Sequence, residues 1–380
     1  MNNHVSFQKC SNCGGCYNVC PVNAISVRDS DLFYTPVVDE SKCIHCGLCA
    51  KICPVENQEK KQNVHCAYGA IHNDEEILRR SSSGGVFSAI AESVLSDGGV
   101  VFGAAYTEDF KEVEMRSSQE TSLEELRRSK YVESKPGYSF REVKKHLENG
   151  TKVLYCGAPC QIAGLKSYLQ KEFENLITCD FSCGGMPSHK LYQQWLAGIE
   201  NKFSAKANEV NFRPKTFGWN NHAVKVCMEN GREYNKWAVE DPYFDCFIGT
   251  HYSVRDYCLE CQFASNHYAD IILADLWKYK TISKIENRNK GISLVITNSL
   301  KGESIVQELS KRVALTVLDT EKASYNLVRK TYSNDFLTKR KAFLERCRNI
   351  GFWKALQGKK RKKAIKLKVK YLIKKLLGRE

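Results

Sequence analysis

One run of cysteines occurs twice within the first sixty residues. It reads Cys10-x-x-Cys13-x-x-Cys16-x-x-x-Cys20-Pro21 and then Cys43-x-x-Cys46-x-x-Cys49-x-x-x-Cys53-Pro54. Three cysteines spaced two residues apart bind one face of an iron–sulfur cube, and in two-cluster proteins the fourth cysteine of each run binds the other cluster. We therefore predict two [4Fe–4S] clusters, one on Cys10, Cys13, Cys16 and Cys53, the other on Cys43, Cys46, Cys49 and Cys20. Zinc is the alternative, which two full copies of the run disfavour.

The total cysteine content supports metal binding over disulfide bonding. The chain has 18 cysteines among 380 residues, and its N-terminal sequence MNNHVSFQKC shows no basic patch followed by an apolar run. Disulfides are rare in reducing compartments. No stretch approaches the roughly 18 consecutive apolar residues that a membrane span needs. A cytoplasmic protein is predicted, with the inner face of the cell membrane as a second location.

Beyond the cysteine runs, apolar segments alternate with helical patterns. Strands are predicted at 99–106, 152–156, 175–181, 223–228, 270–275 and 292–297, and helices at 85–95, 123–130, 138–148, 161–170 and 188–200, the last capped by Ser188. Such alternation favours an α/β or α+β fold with a partly parallel sheet. The predicted division is a two-cluster ferredoxin domain at 1–60, a polar linker near 55–64, a main domain at 65–345 in two parts (65–150 and 151–345), and a tail at 346–380.

Four further cysteines fall where loops of a parallel sheet should converge. Cys160 begins a predicted helix after one strand, Cys183 lies in the loop after the next strand, and Cys258 and Cys261 form a C-x-x-C pair. Loops that follow parallel strands gather at one sheet edge, so these thiols are predicted to hold a third [4Fe–4S] cluster. Cys156 and Cys179 are competing candidates, but they fall inside predicted strands, where buried free cysteine is common.

A glycine-rich turn precedes the helix at 85–95. The segment Ser81-Ser82-Ser83-Gly84-Gly85 brings hydroxyls and flexible backbone to a helix N-terminus, a combination that binds phosphate groups. The alternative is a plain helix cap. Neither of the common nucleotide-binding glycine motifs follows a predicted strand, so the common dinucleotide and nucleoside-triphosphate folds are not indicated.

Several separated motifs together resemble the coenzyme F420 hydrogenase/dehydrogenase beta-subunit family, in the form with an N-terminal two-cluster ferredoxin. They are SSSGGVFSAI at 81–90, YCGAPCQIAGL at 155–165, CDFSCGGMPSHKLYQQW at 179–195, NFRPKTFGW at 211–219 and CLECQFASNHYADIILADLW at 258–277. The resemblance covers about residues 1–345. It implies a mixed α/β flavin-binding catalytic domain that carries FAD and a [4Fe–4S] cluster on Cys160, Cys183, Cys258 and Cys261.

The resemblance also implies residues near the flavin. These are Ser82, Ser83, Gly84, Gly85 and Gln161, with Arg213 and Lys215 as partners for an anionic substrate or phosphate; a solvated charge pair is the alternative for the last two. No catalytic residue is assigned. The sequence departs from the family pattern at Ala158 and Gly184. It also reads Ala274-Asp275-Leu276-Trp277-Lys278 where the family typically has Gly-Asp-Phe-Trp-Gly.

Two functional hypotheses follow. In the first, an oxidoreductase passes electrons between a two-electron carrier, coenzyme F420-like or other, at a flavin and one-electron clusters; the family association extends this to surface-polysaccharide biosynthesis. In the second, favoured by the departures, the chain is an electron-transfer subunit without flavin that bridges a reductant to a partner enzyme. Both imply a redox partner, either a protein or a small carrier.

The positive charge is concentrated at the C-terminus. Residues 354–380 contain twelve basic residues and one acidic residue, a net charge of +11 out of +14 for the chain. Ile365, Val369, Leu372 and Leu376 form an apolar stripe at helical spacing, so a basic amphipathic helix is predicted to contact an anionic membrane surface. A solvated helix end is the alternative; nucleic acid is disfavoured because interleaved aromatic residues are missing.

Overall fold

The structure is a computed structural model, and it describes residues 5–7, 9–29, 31–57, 64–283, 285–286, 289–327 and 330–357. The apolar stripe of the predicted tail helix and most of the predicted linker lie outside these residues. Among the described residues, no helix has both the length and the apolar character needed to cross a bilayer.

Fourteen strands are formed in the described residues. They are β1 (Ile25–Arg28), β2 (Thr35–Val38), β3 (Cys66–His72), β4 (Val100–Tyr106), β5 (Val113–Ser117), β6 (Ser134–Lys135), β7 (Val153–Cys156), β8 (Leu176–Phe181), β9 (Ala207–Asn211), β10 (Ala223–Met228), β11 (Glu233–Trp237), β12 (Ile271–Asp275), β13 (Ser293–Thr297) and β14 (Val313–Leu318). All six predicted strands are among them.

The α-helices of the described residues are mostly short. They are α1 (Gly15–Val19), α2 (Leu48–Lys51), α3 (Glu75–Arg80), α4 (Val86–Ser96), α5 (Leu123–Leu126), α6 (Ser139–Glu148), α7 (Pro159–Leu169), α8 (His189–Phe203), α9 (Pro242–Phe244), α10 (Tyr279–Ile282), α11 (Leu300–Glu308), α12 (Thr320–Ala323), α13 (Asn334–Ile350) and α14 (Phe352–Ala355). The predicted cap is confirmed, since the Ser188 side chain accepts a hydrogen bond from the Leu191 amide.

Two helix predictions differ from the structure. The helix predicted at 123–130 ends at Leu126, because Arg127 is extended with ψ of 164° and Arg128 then adopts a left-handed conformation with φ of 70°. The helix predicted to begin at residue 161 begins at Pro159 instead. Proline is favoured in the first turn because its missing N–H has no intrahelical acceptor there. Helix α13 runs through the predicted boundary at 345–346.

One large mixed sheet organises the main domain. Its strand order is β14-β3-β13-β12-β8-β7-β4-β5-β6, and the four neighbours β12, β8, β7 and β4 run parallel to one another. The remaining described sheets are the pair β1-β2 and the antiparallel β11-β10-β9. The carboxyl ends of the parallel strands therefore meet at one edge, as the prediction of a partly parallel sheet required.

Helices cover both faces of the large sheet. In β7, Val153 and Tyr155 join the hydrophobic cluster formed with α6 and α7, whereas Leu154 joins the cluster formed with α4 and α11. This alternation follows from the two-residue period of a strand. The N-terminal segment packs against the first of these faces, because α1 contacts both α6 and α7.

Candidate redox site

The two cysteine runs adopt the same local backbone. The second residue after the first cysteine has a left-handed conformation in both copies, with φ of 57° at Asn12 and 51° at His45. The residue after the second cysteine is also left-handed, at Gly14 and Gly47. Equal spacing therefore produces equal turns, and these turns aim consecutive cysteines toward one point.

Each predicted set of four cysteines lines one cavity. Cys10, Cys13, Cys16 and Cys53 line a cavity of about 250 Å³, which we call the first thiol cavity. Cys20, Cys43, Cys46 and Cys49 line a smaller one, the second thiol cavity. Each set contains the last cysteine of the other run. The folded chain therefore places each predicted set of four cysteines around a single cavity.

Backbone amides point at several of these sulfurs. The Asn12 amide lies 3.2 Å from Cys10 Sγ, and the Ala24 amide lies 3.2 Å from Cys20 Sγ. Burial raises the pKa of Cys13 to about 12, although the Gly15 amide acts in the opposite direction. Buried sulfurs that are surrounded by amide donors favour an anionic thiolate bound to metal. The residues present therefore fit iron–sulfur clusters.

The third cysteine set also converges. Cys183, Cys258 and Cys261 all lie close enough to the buried Cys160 for charge interactions with it. Amides again point at sulfur, from Gly185 to Cys183 and from Met186 to Cys258, each at 3.4 Å.

Two loops bring this third set together. The loop after β8 pairs with the segment before Cys258 through a bridge between Pro187 and Val254. Gly185 has φ of 110°, and a Cβ there would come within 3.3 Å of Cys258 Cβ, so the two loops are in close contact. The donor set and the amide hydrogen bonds fit one more iron–sulfur cluster.

The first and third cysteine sets are adjacent. Cys160 Sγ lies 3.8 Å from the Ser11 carbonyl, and Cys13 lies within charge-interaction range of Cys160. Arg255 is near both sets, since its charge acts on Cys10 and on Cys258. Two predicted cluster sites thus meet across the boundary between the N-terminal segment and the main domain.

A buried ion cluster holds this boundary together. Glu133 accepts hydrogen bonds from the Asn12 side chain at 3.1 Å, from the Tyr34 amide at 3.2 Å and from Arg255. His189 lies 3.4 Å from Glu133 and stacks on the Tyr34 ring at a centroid distance of 3.6 Å. Burial alone would raise the pKa of Glu133, but Arg255 and His189 outweigh it, so the pKa is lowered and the carboxylate stays charged.

A third, larger cavity opens at the carboxyl ends of the parallel strands. This central cavity has a volume of about 370 Å³ and is lined by the ends of β7, β8 and β12, by the start of α4 and by residues 126–132. Cys183 lines it as well. Its volume lies within the range of about 300–1,000 Å³ typical of small-molecule sites.

The turn at 81–85 borders this cavity and is fixed between strands. The Gly84 amide donates to Ser293 Oγ at 2.9 Å, and the Ser83 hydroxyl donates to the Ile292 carbonyl at 2.8 Å. A Cβ on Gly84 would lie 2.2 Å from the Ala70 carbonyl oxygen, so no larger residue fits without a shift. The turn places the start of α4, where backbone amides lack intrahelical acceptors, at the cavity wall.

Three predicted contact residues have protein partners. Gln161 lines the cavity, but its side chain accepts from the Ala158 amide and donates to Ser134, each at 2.9 Å. Arg213 pairs with Asp275 at 2.9 Å, and Lys215 donates to the Ser83 carbonyl at 2.9 Å. The two cations are buried or half-buried, and they support the turn at 81–85.

Sequence reasoning missed several residues of the central cavity. Arg127, Arg128, Lys130, Tyr131 and Trp277 all line it. Burial lowers the pKa of Lys130 to about 7, and the Arg128 charge adds to this effect. The sequence signals were the basic group at 127–130, which the helical pattern of 123–130 obscured, and the family-like motif that ends at Trp277.

Comparison with known proteins agrees with the sequence resemblance. Residues 150–323 match the family described as coenzyme F420 hydrogenase/dehydrogenase, beta subunit (C terminus), and residues 9–57 match a 4Fe-4S dicluster domain. Residues 150–323 are therefore similar to this beta-subunit family. The N-terminal segment is accordingly an iron–sulfur domain.

One solved structure is also similar to this protein. A chain in a xenon-derivatised F420-reducing [NiFe] hydrogenase complex from Methanosarcina barkeri shares 17% identity with it, covering 76% of this chain and 94% of that one with a TM-score of 0.47. No curated protein matches the chain.

Proposed function

We propose that the protein is an iron–sulfur flavoprotein oxidoreductase that connects a two-electron carrier to one-electron clusters. The observation that carries this proposal is the position of Cys183, which belongs to the third cysteine set and also lines the central cavity. A ligand in that cavity would therefore lie beside the third cluster. When bound, a flavin exchanges electron pairs with a carrier and single electrons with iron–sulfur clusters.

The protein groups have separate tasks in this proposal. The turn at 81–85 and the start of α4 would bind the anionic part of a cofactor, because the amides at a helix N-terminus and the helix dipole favour negative charge. The Arg213–Asp275 pair and Lys215 keep that turn in place. Cys160, Cys183, Cys258 and Cys261 would hold the third cluster, and the contact of Cys160 with the Ser11 carbonyl brings the first thiol cavity next to that set.

The order of the sites defines an electron path. It runs from the central cavity to the third cysteine set, then to the first thiol cavity, and then to the second. The second thiol cavity lies nearest the solvent, because Cys46 is exposed whereas the corresponding Cys13 is buried. A redox partner protein would exchange electrons there, in keeping with the beta-subunit family.

A specific observation favours the second hypothesis. Arg213 and Lys215, which the resemblance offered as anion partners, bind protein groups instead. Ala158, Gly184 and Ala274 differ from the family pattern and line the same cavity, and Leu276 and Lys278 flank the lining residue Trp277. A subunit that carries electrons without flavin would retain all three cysteine sets and would not need this cavity.

One measurement separates the two functions. Protein purified without oxygen is denatured, and iron, sulfide and flavin are quantified per chain. The oxidoreductase proposal expects about twelve irons, since three four-iron clusters are involved, together with one flavin. About twelve irons without flavin would favour the electron-transfer subunit, and about eight irons would remove the third cluster from both proposals.

A variant of the third cysteine set tests the proposed electron path. Cys160→Ser is expected to lose about four irons and to slow the reduction of the ferredoxin clusters by at least about tenfold when electrons enter at the flavin. Cys227→Ser changes a thiol of the β11-β10-β9 sheet and serves as the matched control. Equal reduction rates in the two variants would contradict the path.

The predicted domain division and the contact of residues 346–380 with an anionic membrane are separate proposals. The positive charge of residues 354–380 supports the second one. A chain that ends at residue 357 retains α14 and should pellet less with anionic vesicles than the full chain does. Equal pelleting would contradict membrane contact.

A further inference from the structure

Cys156 and Cys179 lie side by side at the ends of two parallel strands. They are register partners in β7 and β8. Neighbouring strands are about 4.8 Å apart, which lies within the Cα separation of about 4.4–6.8 Å found in disulfides. Both side chains join the hydrophobic cluster on the α4 face of the sheet, and the two thiols are in hydrogen-bond contact. The backbone therefore needs little movement to join them.

The two thiols differ in accessibility. Cys156 is half-buried and lines the central cavity, whereas Cys179 is 0% exposed. A small reagent that enters the cavity therefore meets Cys156 first. Cys179 lies beside Cys156 and can attack the Cys156 sulfur after that thiol has formed a mixed disulfide, as the second thiol of a dithiol centre does.

A cation lies beside the accessible thiol. Lys130 lines the same cavity, and its ammonium group interacts electrostatically with Cys156. The carbonyls of Glu125 and Arg127 hold the Lys130 Nζ in place, each at 2.5 Å. The backbone thus fixes an amine beside the thiol that a reagent in the cavity meets first.

This pair is distinct from the third cysteine set. Cys160 joins the hydrophobic cluster on the opposite, α6–α7 face of the sheet, together with Cys13. Cys183 lies in the loop beyond β8. The electron path described above uses neither Cys156 nor Cys179.

We propose that Cys156 and Cys179 form a reversible disulfide, a second two-electron centre at the wall of the central cavity that reacts with small disulfides. The Cys156 thiolate attacks the small disulfide, forms a mixed disulfide and releases one thiolate, which takes up the proton that Cys156 lost. Cys179 then attacks the Cys156 sulfur, and the second small thiol leaves with the Cys179 proton. One S–S bond is broken and one is formed, so two electrons pass from the protein to the small disulfide. An excess of small thiol reverses both steps.

The test uses the full chain purified without oxygen, with its clusters in place. It is equilibrated with hydroxyethyl disulfide and 2-mercaptoethanol at varied ratios, alkylated and digested with trypsin. Peptides 153–166 and 172–190 contain the two cysteines. The disulfide-linked pair is expected to increase at least about tenfold in the disulfide-rich buffer, with fragment ions that place the bond at Cys156 and Cys179. The visible absorbance of the clusters should remain unchanged.

Variants give the direction of attack. Cys179→Ser should retain a stable mercaptoethanol adduct on Cys156, whereas Cys156→Ser should carry no adduct on Cys179. Cys227→Ser should form the link as the wild type does. The proposal is overturned if the wild type retains the adduct on Cys156 without forming the link, or if the link involves Cys160 or Cys183. None of these readouts requires bound flavin, so failure here is distinguishable from failure of the proposed function.

Discussion

Cys13 lies directly against Gly164 of α7, one helical turn after Cys160. A Cβ placed on Gly164 would come within 3.0 Å of both the Cβ and the Sγ of Cys13. Helix α7, which carries Cys160, therefore contacts the first thiol cavity at Gly164, a position without a side chain. This contact brings the first and third cysteine sets together.

Gly164→Ala is expected to loosen this contact. The added methyl must displace Cys13 or α7, and overpacking of this kind costs about 1–3 kcal/mol. The measurement is the urea midpoint for loss of cluster absorbance. Ser167→Ala lies half-buried on the same helix and should change the free energy of unfolding by less than about 0.5 kcal/mol. Equal midpoints for the two variants would show that the close contact is unimportant.

Glu133→Gln is expected to destabilise the boundary between the N-terminal segment and the main domain. Glu133 is 1% exposed and pairs with the buried Arg255. Loss of one partner leaves a buried charge without compensation, which costs about 3–5 kcal/mol. The same urea titration measures this loss.

The control for this variant is Glu114→Gln. Glu114 pairs with Arg116 at 3.4 Å with both side chains partly exposed, so its loss should cost less than about 1 kcal/mol. If Glu133→Gln and Glu114→Gln have the same urea midpoint, the ion cluster does not stabilise the boundary.

His222 is expected to make the stability of the protein depend on pH. Burial and the nearby Arg213 charge lower its pKa to about 4, whereas an unfolded histidine titrates near pH 6.5. Below pH 6.5 the unfolded chain binds a proton that the folded chain does not, so stability falls as the pH decreases from about 6.5 toward 4. Between pH 7.5 and 5.5 this loss is about 1 kcal/mol.

The His222→Gln variant isolates this contribution. Its urea midpoint is compared with that of the wild type at both pH values. The urea midpoint of the variant should rise relative to that of the wild type as the pH falls, because glutamine takes up no proton in the unfolded chain. A constant difference would exclude titration of His222 from this range.

Gly85→Ala is expected to reduce flavin binding in the oxidoreductase proposal. Gly85 caps α4 with φ of 85°, and a Cβ there would lie 2.8 Å from His72 Cβ. The substitution therefore moves the turn at 81–85. Flavin per chain after purification without oxygen is the measurement.

Gly98→Ala is the matched control for this variant. Gly98 follows the same helix with φ of 73°, but a Cβ there meets nothing within 4 Å. It shares the backbone strain of roughly 1–2 kcal/mol without the collision. Equal flavin content in the two variants would show that the turn is not part of the cofactor site.

The strands that carry the site could be predicted because they are buried on both faces. β7, β8, β12 and β13 are short apolar runs, and such runs between turns are typical of buried central strands. β14 was not predicted, since three of its six residues are exposed and its pattern shows no regular alternation. β3 was not predicted either, although it pairs with both β13 and β14.

The roles of Arg213 and Lys215 could not be predicted from the sequence. Their charge suggested a bound anion, but the fold gives them Asp275 and two backbone carbonyls as partners. Each of these contacts joins residues more than 60 positions apart in the chain. Local sequence carries no signal for such pairs.

The sequence by itself determined the local grouping of the first three cysteines within each N-terminal run. Within each run, spacings of two residues make the first three thiols face one point, because short loops have few conformations; the fourth cysteine and the third set are brought in from distant segments. Tertiary structure alone decided what those groups adjoin. The contact of Cys13 with Gly164, the burial of Glu133 beside Arg255 and the pairing of Cys156 with Cys179 all depend on strand order and on packing between distant segments. Long-range register is set by burial of the whole sheet, so no local pattern determines it.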